Sequence, residues 1–198
     1  MMERGNSLLR YKSIDLLIWV VMMGVFETLI VKAGSVWFTS QPYILSLVPA
    51  LTTIVYMRWS LWGVLYASLG GFFLVSASSA AAGQWLVYII GNLLSVLVYP
   101  VMVKVGKERI TSSAFLSALC AVLTAVLMQA GMGLVSLCEG NGISDMLAFF
   151  TTDALSGVFA VIIILVVRKR DGVFEDQISY LRRLRKEEEE KKNEGNGF

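Results

Sequence analysis

Two carboxylates, Glu27 and Asp153, stand inside long apolar stretches, together with the uncharged polar residues Gln84, Tyr88, Asn92 and Gln129. A carboxylate within a bilayer needs a cation or hydrogen-bond donors, or it takes up a proton. Polar residues in that setting are costly and mark functional sites by default. The chemistry on offer is recognition of a cationic group or a proton, with amides and phenols as hydrogen-bonding partners. Catalysis is not on offer. The chain has no histidine, which removes the imidazole base, the Ser-His-Asp triad and the H-E-x-x-H zinc site. Gly106-Lys107 lacks the glycine-rich lead-in of a phosphate-binding loop. An intramembrane aspartyl protease built on Asp145 and Asp153 is a poor fit, because Gly142-Ile-Ser-Asp145 departs from the G-x-G-D pattern. Cys120 and Cys138 are 18 residues apart on one predicted helix. That is about 27 Å, too far for a disulfide, so they read as small apolar fillers. No enzyme, cofactor or metal site is expected.

Gln84, Tyr88, Asn92, Ser95 and Tyr99 recur at +4, +4, +3 and +4. At helical pitch they fall within about 80° of arc, one polar stripe on an apolar helix. The stripe reads either as an interhelical hydrogen-bond seam or as the wall of a pocket. Depth bears on the choice. Counted from the outer helix ends, Glu27 lies about 9 Å deep and Asn92, Gln129 and Asp153 about 12–14 Å. Four helices thus place a polar group in the same half of the membrane, which suggests a pocket opening outward. Lys32 is free to snorkel or to pair with either acid. It follows Glu27 by five residues, about 140° around the helix, so an intrahelical pair is awkward. If it covers one acid, one negative charge remains for a cationic ligand group or a proton. The plainer alternative is that both acids hydrogen-bond neighbouring helices. Trp37 and Phe38 in the 34–41 loop, with Trp85 and the 138–144 loop, are positioned to cover such a pocket.

The elements that must hold these residues are membrane helices. The chain of 198 residues is 56% hydrophobic, and 17 of its 32 charged residues fall in positions 168–198. Residues 59–103 contain no charged side chain at all. A bilayer core takes about 20 apolar residues per helix, so that run crosses twice. Soluble enzymes and disordered chains are excluded, and continuously apolar runs argue against a β-barrel. Six segments emerge, at 14–31, 43–57, 60–78, 84–103, 113–137 and 146–167. The first has basic residues before it, as a signal peptide would. Its apolar run exceeds the roughly 7–15 residues of such peptides and carries Glu27, so it is read as a retained helix. Pro49 predicts a kinked or partly irregular second helix, with Pro42 in its first turn and Ser40 as a possible cap. Pro49 and Pro100 occupy unlike places, so no matched pair of broken helices and no internal repeat is expected.

With alternating loops, 16 of the 17 Lys and Arg residues fall on one side and only Lys32 on the other. The positive-inside rule then puts both termini in the cytoplasm. The expected architecture is an all-α, polytopic plasma-membrane protein of six transmembrane helices. A cytoplasmic segment 1–13 precedes the helical domain 14–167, and a charged tail 168–198 follows it. Small-residue faces give packing surfaces: Ala114, Ala118, Ala121 and Ala125 on the fifth segment, Gly63, Ala67 and Gly70 or Gly71 on the third, Gly24 and Thr28 on the first. Most are internal, and one is free to dock a partner. In the tail Phe174, Ile178, Leu181 and Leu184 predict a short amphipathic helix, with Glu187–Lys191 and Glu188–Lys192 pairs. Its nine basic and eight acidic residues leave +1, which argues against a nucleic-acid partner.

The opening RYKSIDLLIWVVMMGVFETLI, basic residues leading straight into helix one, is similar to the starts of the substrate-binding S components of energy-coupling factor transporters. Residues 8–168 resemble that family in size and topology. The resemblance implies a vitamin-like nutrient bound in an outward pocket built by the later helices and a lid between the first two. It also implies a membrane coupling subunit and an ATPase pair as partners, and toppling within the membrane to release cargo. The family docks through Ala-x-x-x-Ala on helix one, which Gly24-x-x-x-Thr28 approximates here. Members for nickel and cobalt use an N-terminal histidine, which this chain lacks. On this reading Gln84, Tyr88 and Asn92 hydrogen-bond the cargo, Glu27 and Asp153 set charge selectivity, and Trp37 and Trp85 cover it. An ion-coupled carrier and a non-transporting membrane scaffold are the alternatives.

Overall fold

A computed structural model describes residues 2–39, 43–78 and 80–195. The expected cap Ser40 and first-turn Pro42 lie outside the described residues, as do the side chains of Glu188, Lys191 and Lys192. The described chain is helical, with no strand. Helix α1 (Met2–Trp37) is followed by α2 (Val48–Trp59), α3 (Gly63–Ser78) and α4 (Ala82–Gly91). A 3₁₀ stretch, Asn92–Leu97, joins α4 to α5 (Val98–Val105); then come α6 (Lys107–Ser112), α7 (Ala114–Cys138), α8 (Ile143–Thr152), α9 (Ala154–Val167) and α10 (Gln177–Gly195).

Among the described residues, five helical stretches are long and apolar enough to cross a membrane: Leu8–Trp37, Val48–Ser78, Ala82–Val105, Ala114–Cys138 and Ile143–Val167. The second is folded back on itself. Ser60 takes a φ of 57°, a left-handed conformation that turns the chain between α2 and α3. A Cβ on Gly63 would strike the Tyr56 ring, and one on Gly70 would strike Val48. As position advances along α3 its partner recedes along α2, so the two helices run antiparallel and the glycines let them touch.

Pro49 sits in the first turn of α2. There its missing N–H costs nothing, because first-turn donors have no helical acceptor anyway. The expected kink is absent, and the irregularity lies in the non-helical residues 43–46 before the helix. Pro100 has no N–H for the carbonyl of Val96, and the turn it interrupts is the end of the 3₁₀ stretch. Backbones come closest where α4 crosses α7: a Cβ on Gly131 would collide with the Gly91 carbonyl.

Two apolar clusters form the core. One, toward the Arg58 end, gathers Trp19, Met23, Ile54, Tyr56, Met102, Ile164 and Phe174. The other, toward the Trp37 end, gathers Val48, Leu74, Val87, Tyr88, Met128 and Met132. The outward face of α1 leaves Leu17, Ile18, Val21, Val25 and Leu29 exposed, an apolar stripe suited to lipid. The small-residue faces divide. A Cβ on Gly24 would come within 3.1 Å of the Phe73 ring, and the Thr28 hydroxyl donates to the Gly24 carbonyl at 2.7 Å. Ala121 and Ala125 are buried, Ala118 is half-buried and Ala114 exposed.

The segment after α9 is docked rather than trailing. Phe174 is 1% exposed, and α10 starts only at Gln177. Phe174 therefore anchors the loop and does not belong to the amphipathic face expected of it. The reason is Asp176, whose carboxylate accepts the Ser179 N–H at 3.3 Å and so caps α10. Its other oxygen pairs with Lys107 at 2.7 Å. Arg58 ties the same loop to α1, pairing with Asp15 at 2.5 Å and donating to the Gly172 carbonyl.

Candidate functional site

Three interruptions of helical backbone meet in the half of the bundle nearer Trp37: the 43–46 stretch, the 3₁₀ start at Asn92, and Asp153 between α8 and α9. Backbone groups released from helices need other partners, and here they find each other. Ile44 N–H donates to the Thr152 carbonyl at 3.0 Å. Ser46 N–H donates to Ser156 Oγ at 3.0 Å, and that hydroxyl donates to the Ile44 carbonyl at 3.2 Å. The stretch leading into α2 is thus paired with the break between α8 and α9.

Each acid stands at a helix N-terminus. Glu27 Oε2 accepts the Leu47 N–H at 2.8 Å, where α2 begins, and Asp153 is the residue before α9. The positive end of α2 therefore faces a carboxylate, whereas Asp153 joins the end of α8 to the start of α9 without a side-chain cap hydrogen bond. Glu27 is 0% and Asp153 5% exposed. One oxygen of each, Glu27 Oε1 and Asp153 Oδ1, is buried without a hydrogen-bond partner. Among the described residues neither acid is in an ion pair. Lys32, offered as a partner for either, is exposed and pairs with neither.

A cavity of about 20 Å³ lies beside Asp153, lined by Ser46, Tyr88, Asn92, Gln129, Asp153 and Ser156 over an apolar floor of Val48, Leu74, Met128 and Met132. One water needs about 10–15 Å³ on this measure, so the space suits a single water-sized species. The lining amides are committed through nitrogen: Asn92 Nδ2 donates to the Ala67 carbonyl and Gln129 Nε2 to the Asp153 carbonyl, each at 3.1 Å.

Toward the Trp37 end a vestibule of about 390 Å³ opens between the end of α1, residues 43–45, the end of α3 and the start of α4. Its walls include Val31, Gly34, Ser35, Tyr43, Ala77, Ser78 and Gln84, and it shares Leu74 and Tyr88 with the small cavity. These two side chains are the partition between the spaces. The Tyr88 ring is held edge-on to Phe149 at 6.1 Å.

The stripe on the fourth segment accordingly divides by depth. Gln84 and Tyr88 face the vestibule and Asn92 the cavity, while Ser95 hydrogen-bonds the Tyr56 hydroxyl at 3.1 Å in an interhelical seam. The structure brings Tyr88, Asn92, Gln129 and Asp153 around one space; Glu27 does not line it and instead accepts the Leu47 N–H, next in the chain to the lining residue Ser46. Lys32, Trp37 and Trp85 line neither space: Trp37 is 65% exposed and Trp85 packs on Phe72 at 5.5 Å. Ser46 and Ser156 were missed. The available signal was Ser156 three residues after Asp153, one helical turn into α9. No group of three or more acidic, cysteine or histidine side chains able to hold a metal occurs among the described residues. No protein-family model matches this chain, and no curated protein or solved structure matches it.

Proposed function

We propose that the chain is the substrate-binding membrane subunit of an uptake system for a small, water-soluble, vitamin-like nutrient. It crosses the plasma membrane six times, with α2 and α3 as separate crossings and both termini in the cytoplasm. Lys32 and the vestibule then lie on the outer side. Arg58, Lys107 and the docked tail lie inside, as the positive-inside rule requires. A partner membrane subunit and an ATPase pair drive the uptake, since the chain carries no phosphate-binding loop of its own.

The observation that carries this reading is the vestibule with its polar base. Its volume of about 390 Å³ falls in the range of small-molecule sites, about 300–1,000 Å³. Gln84 supplies a polar side chain there, Tyr88 lines its base, and the side chains behind Tyr88 are buried and polar. Cargo enters from outside and rests on Tyr88 and Leu74, with Gln84 beside it.

Affinity purification from the native membrane, with mass spectrometry of the proteins and small molecules retained, tests the proposal. ATPases, a second membrane subunit and a co-purified nutrient are the expected result. A protein recovered alone and transporting after reconstitution is an ion-coupled carrier instead. Envelope assembly proteins without any small molecule identify a scaffold.

A further inference from the structure

We propose that the small cavity at Asp153 is a binding site for one monovalent metal cation, sodium. The atoms left uncommitted around the cavity decide what it holds. Asn92 and Gln129 have donated their amide N–H groups to backbone carbonyls. Their carbonyl oxygens accept no hydrogen bond from the described residues. Ser156 Oγ uses its proton on the Ile44 carbonyl. Asp153 Oδ1 is buried and has no partner. The lining therefore offers more oxygen acceptors than donors, the Tyr88 and Ser46 hydroxyls being the donors it retains, and an uncompensated buried acceptor is costly.

Size selects among the species that would satisfy it. A space of about 20 Å³ holds one water-sized particle, which excludes an organic amine or the cargo itself. A water satisfies lone pairs but leaves the carboxylate charge uncancelled. A proton or a metal cation cancels it, and the metal ion also engages the surrounding carbonyl oxygens together. An all-oxygen lining suits hard ions, and a divalent ion of that kind gathers several carboxylates and more ligands than this lining offers. One carboxylate with neutral carbonyls and hydroxyls fits a monovalent ion. The ends of broken helices supply such sites in membrane carriers. Here Asp153 is the C-cap of α8, so the negative end of that helix adds to the field that holds the ion. Because Tyr88 and Leu74 wall both spaces, ion and cargo share a boundary. The site itself does not depend on how uptake is energised.

The test is binding of radioactive ²²Na⁺ to the purified full chain in lipid nanodiscs, at constant ionic strength with choline chloride as filler. Saturable binding of one ion per chain is expected, displaced by NaCl and not by choline. Asp153→Asn weakens it at least tenfold. Gln129→Leu, which removes one carbonyl and keeps the volume, weakens it at least threefold and serves if the first variant does not fold. Wild-type chain with no saturable ²²Na⁺ binding, or binding unchanged in both variants, overturns the assignment. So does a thermal midpoint that follows pH and ignores Na⁺, which would give the cavity to a proton.

Discussion

Glu27 accepts the Leu47 N–H where α2 begins, so a side chain of α1 does for α2 what a capping residue does for its own helix. Ser46 shares the task by accepting the Val48 N–H at 3.1 Å. Removing an acceptor from a buried donor costs about 1–3 kcal/mol. Glu27→Leu is therefore expected to lower unfolding stability by about that amount, and Glu27→Gln, which keeps an oxygen, by less. Thermal unfolding of both variants in one detergent checks the order; a Gln variant as unstable as Leu would mean that charge, not capping, holds the residue. Both acids were legible in the sequence because charge inside an apolar run stands out. Ser46 and Ser156 were not, since serine is common in apolar helices and there usually bonds to its own backbone. The 140° offset of Lys32 had already made its pairing with Glu27 awkward, and its exposure completes that reading.

At the scale of elements, the glycines at crossings decide what the helices tolerate. A Cβ on Gly131 meets the Gly91 carbonyl, whereas one on Gly157 lies 3.6 Å from Ala125 Cβ in ordinary contact. Overpacking costs about 1–3 kcal/mol, so Gly131→Ala is expected to destabilise by at least about 2 kcal/mol and Gly157→Ala by less than about 1 kcal/mol. Unfolding midpoints of the two variants provide the comparison, and equal midpoints would remove the crossing from the account. Phe174, 1% exposed, anchors the docked loop; Phe174→Ala is expected to cost about 3–5 kcal/mol, read in the same assay. Helical character was legible from continuous apolarity. The breaks were less so. A proline marks a position that cannot donate, yet Pro49 is accommodated in a first turn, while the break at Asp153 carries no proline. The +4, +3, +3 spacing in the tail ran through Asp176, and the cap there determines where the helix starts.

For the whole molecule, apolar length and charge asymmetry gave the membrane class, and the antiparallel contact of α2 with α3 supports counting them separately. Cys138 is exposed and Cys120 buried, which makes topology directly measurable. In intact cells a membrane-impermeant maleimide is expected to label Cys138, and to label a cysteine placed at Ser179 only after permeabilisation. Labelling of both from the same side would contradict the proposed orientation. How the spaces at the Trp37 end relate was beyond the sequence, because it depends on where the 43–46 stretch is held by Thr152 and Ser156, more than 100 residues away.

The central claim is that the vestibule over Tyr88 holds a small molecule. Native mass spectrometry of the chain released from its own membrane lipids, wild type beside Gln84→Ala/Tyr88→Ala, tests it most directly. A retained small molecule is predicted for the wild type, with affinity reduced at least about tenfold, or about 1.4 kcal/mol, in the double variant. A wild-type chain that carries none, or equal retention by the two proteins, would contradict the claim.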